Sequence, residues 1–165
     1  NAIQKNVFMF NIHCSNGRKT MREVSNLVKE TGSESLLIGV TVLTNLSGDD
    51  ILEMFKSNLN VEEMVLNLAT IAKNSGMHGI VCSPLESAKI KEKLGQDFVT
   101  VCPGVRPAFT LNAQGKSDDD QNRIMTPFDA IKNNVDFLVV GRPITKAKDP
   151  VESAKLILEE ISQAL

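Results

Sequence analysis

The segment DFLVVGRPIT, residues 136–145, decides the fold. Residues 137–140 form a short, continuous apolar run of the kind that makes a strand buried on both faces. The run stops at Gly141 and Arg142, which suit neither a core nor a strand. A glycine lets a backbone N–H approach an oxyanion closely, and a guanidinium supplies paired charged donors that fit a phosphate. The segment therefore predicts a buried strand that ends in half of a phosphate site. The alternative is that Gly141 only turns the chain and Arg142 lies in solvent.

The same kind of apolar run occurs four more times. Each run is near-continuous and rich in β-branched residues, and each is followed by a segment with the apolar spacing of a helix. The four runs are VFMFNIH (7–13), LLIGVTVL (36–43), GIVC (79–82) and FVTVC (98–102). The clearest helical faces lie within residues 21–28, 61–72 and 151–161. Five strand-then-helix units in a row predict a parallel α/β architecture in one domain over residues 1–165.

Two parallel architectures fit this order, an open doubly wound sheet and a closed (β/α)8 barrel. No Gly-x-Gly-x-x-Gly turn follows the first strand, which removes the usual support for a dinucleotide-binding open sheet. A flavodoxin-like sheet, as in a flavin carrier, stays open on periodicity alone. In the barrel, phosphate is commonly held by the loops after the last two strands. The fourth run continues into Gly104 and Arg106, so glycine and arginine follow both of the last two strands and favour the barrel.

Three predicted helix starts share one signal. Each has a side-chain acceptor, then a proline, then a carboxylate at the third position after the acceptor. The three motifs are SPLE (83–86), TPFD (126–129) and DPVE (149–152). They predict N-caps in which the carboxylate completes a capping box.

The composition is that of an ordinary globular protein with one core: 165 residues, 42% hydrophobic and 23% charged. A net charge of −2 gives no electrostatic reason to bind nucleic acid or an anionic membrane. No apolar run approaches the roughly 18 residues that span a bilayer, and no leader precedes Val7, so we expect a cytoplasmic protein. Cys14, Cys82 and Cys102 form no Cys-x-x-Cys pair and are expected to be buried thiols.

For other polar or sulfur-containing residues a structural role is favoured. His13 is expected to be a structural histidine at the rim of the strands, and His78 to lie on the surface. Met54 and Met64 are expected in the core. The carboxylates of 118–120 are consecutive and lack the spacing of a calcium loop, so we expect a solvated face and no metal.

Five motifs together resemble the bacterial orotidine 5′-phosphate decarboxylases. They are GVTVLT (39–44), VCS (81–83), PGVRP (103–107), DQNRIMTP (120–127) and VVGRPIT (139–145), in the order of that family. The last three are specific as a set, and the resemblance runs from about Val7 to the C-terminus. It implies a (β/α)8 TIM barrel that converts orotidine 5′-monophosphate to uridine 5′-monophosphate in pyrimidine biosynthesis. It also implies a homodimer and a reaction with no metal or organic cofactor.

The resemblance further implies which residues bind the substrate. Matched position by position, they are Thr44, Arg106, Gln121, Gly141 and Arg142. Gln121, Gly141 and Arg142 match the phosphate, and Thr44 matches a position that hydrogen-bonds the pyrimidine. The segment after Arg106 is long, polar and without periodicity, and it matches a mobile loop that closes over the phosphate. Asn45 follows Thr44 where the family usually has serine.

One departure limits what this chain can do. The family's catalytic signature, Asp-x-Lys-x-x-Asp on the third barrel strand, is absent from the sequence. The five runs match strands four to eight, and three further βα units of about 25–30 residues would bring the chain near the roughly 250 residues of this barrel. We therefore expect the C-terminal two-thirds of a longer polypeptide, with no catalytic residue of its own and no activity alone. Such an arc would expose its two edge strands and part of its interior.

Two rival functions stay open. The first is an enzyme of the same barrel superfamily that acts on a sugar phosphate, usually with magnesium, and the Asp-Gln-x-Arg motif and Thr44 argue against it. The second is a non-catalytic fragment that binds a phosphate ligand, which the missing signature leaves possible.

Overall fold

The computed structural model describes residues 2–5, 7–111 and 123–165. The five strands are β1 (Met9–His13), β2 (Leu36–Val40), β3 (Gly79–Val81), β4 (Val99–Cys102) and β5 (Phe137–Leu138). The α-helices in the described residues are α1 (Gly17–Glu30), α2 (Gly48–Phe55), α3 (Val61–Asn74), α4 (Ser87–Leu94), α5 (Pro127–Lys132), α6 (Arg142–Thr145) and α7 (Pro150–Ser162). Short 3₁₀ turns lie at Ile3–Lys5, Cys14–Asn16, Pro84–Glu86 and Ala108–Thr110. All five predicted strands are confirmed, and each strand is shorter than the apolar run that predicted it.

The sheet is parallel throughout, and its strands follow the order of the chain, β1-β2-β3-β4-β5. An open doubly wound sheet reverses its strand order at a switch point, whereas a barrel adds each strand beside the last. The sheet is also strongly curved. Phe8 directly precedes β1 and Phe137 lies in β5, at the two edges of the sheet, yet their rings are 5.7 Å apart and meet edge to face. The prediction of a barrel-type α/β fold is confirmed, and the flavodoxin-like alternative is wrong.

The two edge strands are only partly covered. Within the described residues β1 pairs with β2 alone and β5 pairs with β4 alone. No residue of β1 is fully buried, and Phe8 just before it is 65% exposed. Val139, just past β5, is 48% exposed. The exposure expected of an incomplete barrel is therefore present at both edges.

The core lies between the sheet and its helices. Met21 and Val28 of α1, Val65 and Ala69 of α3, and Leu37 of β2 are each at most 2% exposed. Burying each of the larger side chains in this layer contributes about 1.5–3 kcal/mol, so the layer is the main source of stability.

The strands approach each other closely at Gly79. A Cβ atom at this position would lie 2.2 Å from the carbonyl oxygen of Val99 on β4. A backbone atom of a paired strand cannot move aside at low cost, so only glycine fits here.

The predicted helix starts are confirmed, although the predicted capping boxes form at only one of them. Ser83 and Glu86 make a complete box. Thr126 caps α5, but the carboxylate of Asp129 accepts from the Thr126 hydroxyl at 2.7 Å. Asp149 caps α7 by accepting from two backbone N–H groups at 3.0 Å. Two further complete boxes, Ser47 with Asp50 and Asn60 with Glu63, open α2 and α3.

Several burial predictions fail where a helix faces solvent. Met64 is 7% exposed and belongs to the core as predicted, but the prediction for Met54 is wrong, since it is 60% exposed on α2. Val151 and Leu158 of the predicted α7 face are also exposed. Apolar spacing shows that a face exists but does not show whether another element covers it.

His78 is half-buried, so its predicted place on the surface is wrong. Its Nδ1 accepts a hydrogen bond from the backbone N–H of Leu37 at 2.9 Å. Burial lowers the pKa of His78, and the nearby charge of Lys29 lowers it further. The ring therefore acts as a neutral acceptor that ties β3 to β2.

All three cysteines are free and buried, as predicted. Burial raises the pKa of Cys14 to about 11. The sulfurs of Cys82 and Cys102 are 3.7 Å apart, and this hydrogen bond, together with burial, raises the pKa of Cys82. The thiols of Cys14 and Cys82 are therefore protonated at neutral pH, and all three cysteines act as packing groups. Across the described ranges, no helix combines the length and the apolar character needed to cross a membrane.

Candidate functional site

The candidate site lies at the edge of the sheet where the parallel strands end. The segments that follow β2, β4 and β5 line one cleft of about 210 Å³. Its lining residues are Thr44, Pro103, Gly104, Arg106, Val139, Gly141 and Arg142. Four of the five predicted substrate-binding residues are thus brought together, although up to 98 positions separate them in the sequence. The fifth, Gln121, and the carboxylates of 118–120 lie outside the described residues.

Gly141 has open space where a side chain would project. Its φ and ψ are −105° and −95°, and a Cβ atom added here would meet no atom within 4 Å. Its carbonyl accepts from the N–H groups of Ile144 and Thr145 at 2.9 and 3.0 Å, which begins α6. The chain turns at Gly141, and the missing side chain also leaves the backbone beside Arg142 open.

Arg106 is held in place by the backbone around it. Its N–H donates to the carbonyl of Met125 at 2.9 Å, and Val105 and Met125 form an isolated parallel bridge. Gly104 has a φ of +81°, which allows the chain to turn between β4 and this bridge. Arg106 is 5% exposed, and its Nη1 donates to the carbonyl of Val105 at 2.9 Å. The fixed backbone thus sets where this buried cation lies in the cleft wall.

Thr44 supplies a polar group from the second strand. It is 7% exposed and lies four residues beyond the end of β2. The chain leaves the sheet through Thr41, whose hydroxyl donates to the carbonyl of Val81 at 2.7 Å. It then turns at Leu43, whose carbonyl accepts from the N–H of Leu46 at 3.0 Å.

The described part of the cleft brings two cations together although the whole chain is acidic. Among the described residues that line it, the charged ones are Arg106 and Arg142, whereas the chain carries a net charge of −2. Guanidinium groups and an open backbone suit an anion such as a phosphate, and a buried hydroxyl suits the polar edge of a ring. His13 is exposed at the end of β1 and is not a lining residue.

A contact that the sequence patterns did not predict lies beside the cleft. Glu86, predicted only as a capping residue, forms a buried ion pair with Arg123 at the end of the Asp-Gln-x-Arg motif. Capping-box spacing gives no sign of this second partner, because the two residues are 37 positions apart.

The fold and the cleft define the class. The protein is an α/β-barrel protein with a cationic cleft at the carboxyl ends of its strands, where this fold carries its ligand sites.

The chain belongs to the orotidine 5′-phosphate decarboxylase / HUMPS family, whose model matches residues 1–157. It is 43% identical over 164 residues to the orotidine 5′-phosphate decarboxylase of Vibrio parahaemolyticus, covering 98% of this chain and 66% of the relative. It is 46% identical over 158 residues to the enzyme of the same name from Trichlorobacter lovleyi, covering 94% of this chain and 63% of the relative. The chain therefore spans slightly less than two thirds of the length of these curated relatives.

Solved structures agree with this membership. The crystal structure of orotidine 5′-phosphate decarboxylase from Lactobacillus acidophilus matches with a TM-score of 0.76 and 33% identity, over 94% of this chain and 64% of that chain. The orotidine 5′-monophosphate decarboxylase of Sulfolobus solfataricus matches with a TM-score of 0.64 at 16% identity, over 99% of this chain and 66% of that chain, and supports the fold alone. The five-stranded sheet thus corresponds to part of the barrel of these relatives.

Proposed function

We propose that this chain forms the phosphate- and pyrimidine-binding part of an orotidine 5′-phosphate decarboxylase. In the complete protein the reaction would be the conversion of orotidine 5′-monophosphate to uridine 5′-monophosphate. The observation that carries the proposal is the single cleft in which Thr44, Arg106, Gly141 and Arg142 meet. The names of the relatives support an orotidine nucleotide over a sugar phosphate as the substrate.

Each group in the cleft has a chemical role in the proposal. Arg142 and the open backbone at Gly141 bind the phosphate, because charge-assisted donors and an accessible N–H suit its oxygens. Arg106 adds a second fixed cation, and Thr44 offers its hydroxyl to the pyrimidine. Gln121 is proposed as a further phosphate ligand. Energy from binding the non-reacting phosphate can then help to stabilise the transition state for loss of carbon dioxide.

The chemical step itself needs groups that this sequence lacks. No Asp-x-Lys-x-x-Asp signature follows any of the five strands, so the lysine that would protonate the carbanion is not here. We propose that 1–165 is one domain supplying barrel strands four to eight, and that three further βα units carry this signature. The missing signature favours a second candidate for the chain by itself, a binding unit that holds the nucleotide without converting it.

The proposal also covers the cellular location and the oligomeric state of the complete protein. We infer a cytoplasmic protein that forms a homodimer in its complete state and uses no cofactor. The exposed apolar side chains of Leu52, Phe55 and Leu59 on and after α2 support an assembly that covers them. Sedimentation of the complete protein as a monomer would contradict the dimer.

Ligand binding tests the phosphate assignment. Uridine 5′-monophosphate and uridine would be titrated calorimetrically into the wild-type chain, Arg142→Ala and the control Lys146→Ala, which removes an exposed charge four residues away. Charge-assisted hydrogen bonds contribute about 1.5–3 kcal/mol, so Arg142→Ala should weaken the nucleotide by about 10- to 100-fold. Uridine binding should change by less than about twofold. Lys146→Ala should bind both ligands as the wild type does.

Three results would each contradict a part of the proposal. Equal losses of nucleotide and nucleoside affinity in Arg142→Ala would show that Arg142 does not bind the phosphate. A wild-type chain that binds neither ligand would show that this part of the barrel does not hold the nucleotide site. Turnover of orotidine 5′-monophosphate by the wild-type chain would contradict the assignment of the chemical step to residues outside this sequence.

A further inference from the structure

Arg123 is the residue of the Asp-Gln-x-Arg motif that the proposed cleft leaves unexplained. It is not a lining residue, and its side chain is 14% exposed. It reaches the segments that follow β2 and β3 and contacts Leu43 and Glu86 there. Its position therefore links three separate parts of the chain beside the cleft.

The contacts form one continuous polar chain. Arg123 Nη1 pairs with Oε1 of Glu86, whose side chain is 5% exposed. The other carboxylate oxygen of Glu86 accepts from the N–H of Ser83 at 2.7 Å. Arg123 Nη2 donates to the carbonyl of Leu43 at 3.1 Å. The backbone after β3 is thereby connected through two charged side chains to the backbone after β2.

A contribution to the stability of the fold does not explain why Arg123 and Glu86 form a buried ion pair. Burying two charges is expensive, and apolar replacement of a buried ion pair is often neutral or stabilising. Burial raises the pKa of Glu86, and the charge of Arg123 only opposes this effect. Arg123 Nε is buried with no hydrogen-bond partner in the part of the chain that the structure describes. A network that is costly and incompletely satisfied indicates a role in geometry.

The contact between Arg123 and Leu43 affects the position of Thr44, the next residue in the chain. The Leu43 carbonyl and the Thr44 N–H belong to one planar peptide, so fixing the carbonyl fixes the plane from which the Thr44 side chain starts. This peptide lies beyond the last residue of β2, Val40, where the sheet no longer orients it. The Leu43 carbonyl accepts from Arg123 as well as from the local turn at Leu46. Arg123 thus adds a tertiary contact to a strand end otherwise held by a short turn.

We propose that Arg123 and Glu86 are a positioning pair that holds the Leu43–Thr44 peptide so that Thr44 meets the ring of the bound nucleotide. This inference rests on the proposed function, since it needs a ligand whose ring lies at Thr44. It separates two ends of the cleft: the pair acts at the ring end, whereas Arg142 acts at the phosphate end.

The test uses a variant that removes both charges together. Arg123→Met/Glu86→Leu leaves no unpaired buried charge, but it removes the acceptor of the Ser83 N–H, so it should fold with a urea midpoint about 0.5 M below that of the wild type. Lys89→Gln/Glu62→Gln is the control, because it removes an exposed pair of the same charges. Arg123→Lys keeps the charge but replaces the two guanidinium nitrogens, which reach Glu86 and Leu43 separately, with one nitrogen that lacks this fixed fork geometry.

Two ligands report on the two ends of the cleft. Arg123→Met/Glu86→Leu and Arg123→Lys should each bind uridine 5′-monophosphate about five- to tenfold more weakly, the loss of one ordinary hydrogen bond. Binding of ribose 5-phosphate, which has no ring base, should stay within about twofold. The control variant should bind both ligands as the wild type does.

The outcomes separate this inference from the proposed function. A folded double variant that binds the nucleotide like the wild type would overturn the inference, because the pair would then be structural only. Equal weakening of both ligands would also overturn it, since the effect would not lie at the ring. If the wild-type chain binds neither ligand, the proposed function fails and this inference fails with it.

Discussion

A buried ion pair at the opposite end of the sheet offers a sharp test of the energetics. Lys91 of α4 has a side chain that is 3% exposed, and its Nζ lies 2.6 Å from Oδ2 of Asp136 and 2.7 Å from the carbonyl of Gln96. The same carboxylate oxygen accepts from the N–H and the hydroxyl of Thr100 at 2.7 and 3.1 Å. Asp136 therefore holds both α4 and β4. Asp136→Ala removes these contacts and leaves the Lys91 charge buried with one carbonyl partner.

The expected cost follows from the burial of the two charges. Removing one partner of a buried pair destabilises by about 3–5 kcal/mol. Because the Asp136 side chain is 35% exposed, water can relieve part of this cost, and we expect about 3 kcal/mol. The control is Glu62→Ala, which breaks the exposed ion pair between Glu62 and Lys89. Lys89 lies two residues before Lys91 on α4. The side chains of Glu62 and Lys89 are 45% and 58% exposed, so the unfolding free energy should fall by only about 0.5 kcal/mol.

Urea unfolding of the 165-residue chain at pH 7, followed by circular dichroism at 222 nm, measures both values. With a slope of about 2 kcal/mol per molar urea, Asp136→Ala should lower the midpoint by about 1.5 M and Glu62→Ala by about 0.25 M. Equal midpoint shifts for the two variants would refute the reasoning, because burial would then make no difference to the strength of these ion pairs.

Two further predictions concern packing and pH. Gly79→Ala should destabilise by about 3 kcal/mol, because its Cβ would lie 2.2 Å from the Val99 carbonyl oxygen, whereas Gly48→Ala, with no atom within 4 Å, should stay within about 0.5 kcal/mol. Similar unfolding midpoints for the two would contradict this account of the sheet. Since the folded-state pKa of His78 is lowered, its stabilisation is complete above the unfolded pKa of 6.5 and is lost as the pH falls below it. Between pH 7.5 and 5.0 the wild type should therefore lose more unfolding free energy than His78→Asn, and parallel pH profiles would exclude this role.

The sequence predicted the fold through local features that are strong in this chain. Near-continuous apolar runs predict doubly buried parallel strands, and all five strands are present. Boundaries were less well predicted: the run at 36–43 ends as a strand at Val40. Strand ends depend on where the neighbouring strand stops, and a single run carries no information about its neighbour. The prediction that Met54 lies in the core was wrong for a related reason, because helical spacing does not show which element, if any, covers a helix face.

The candidate site was predicted in part by motif. Glycine and arginine after the last two runs indicated a phosphate site, and the structure brings Gly141, Arg142 and Arg106 to one cleft. The resemblance to the decarboxylases supplied Thr44, which no local pattern would have selected. The pairing of Arg123 with Glu86 was not predicted, since Glu86 already had a local explanation as a capping residue and Arg123 was only part of a motif.

What the sequence by itself determined is the set of parallel strands, the helix starts and the chemistry available at the strand ends. These follow from side-chain type and short-range spacing, which act before any tertiary contact forms. Only the tertiary structure decided the strand order, the curvature of the sheet and the meeting of Thr44 with the arginines. Those features arise from contacts between residues far apart in the chain, such as Arg123 with Leu43 over 80 positions. Such contacts depend on the packed arrangement of all the elements together, which no local pattern contains.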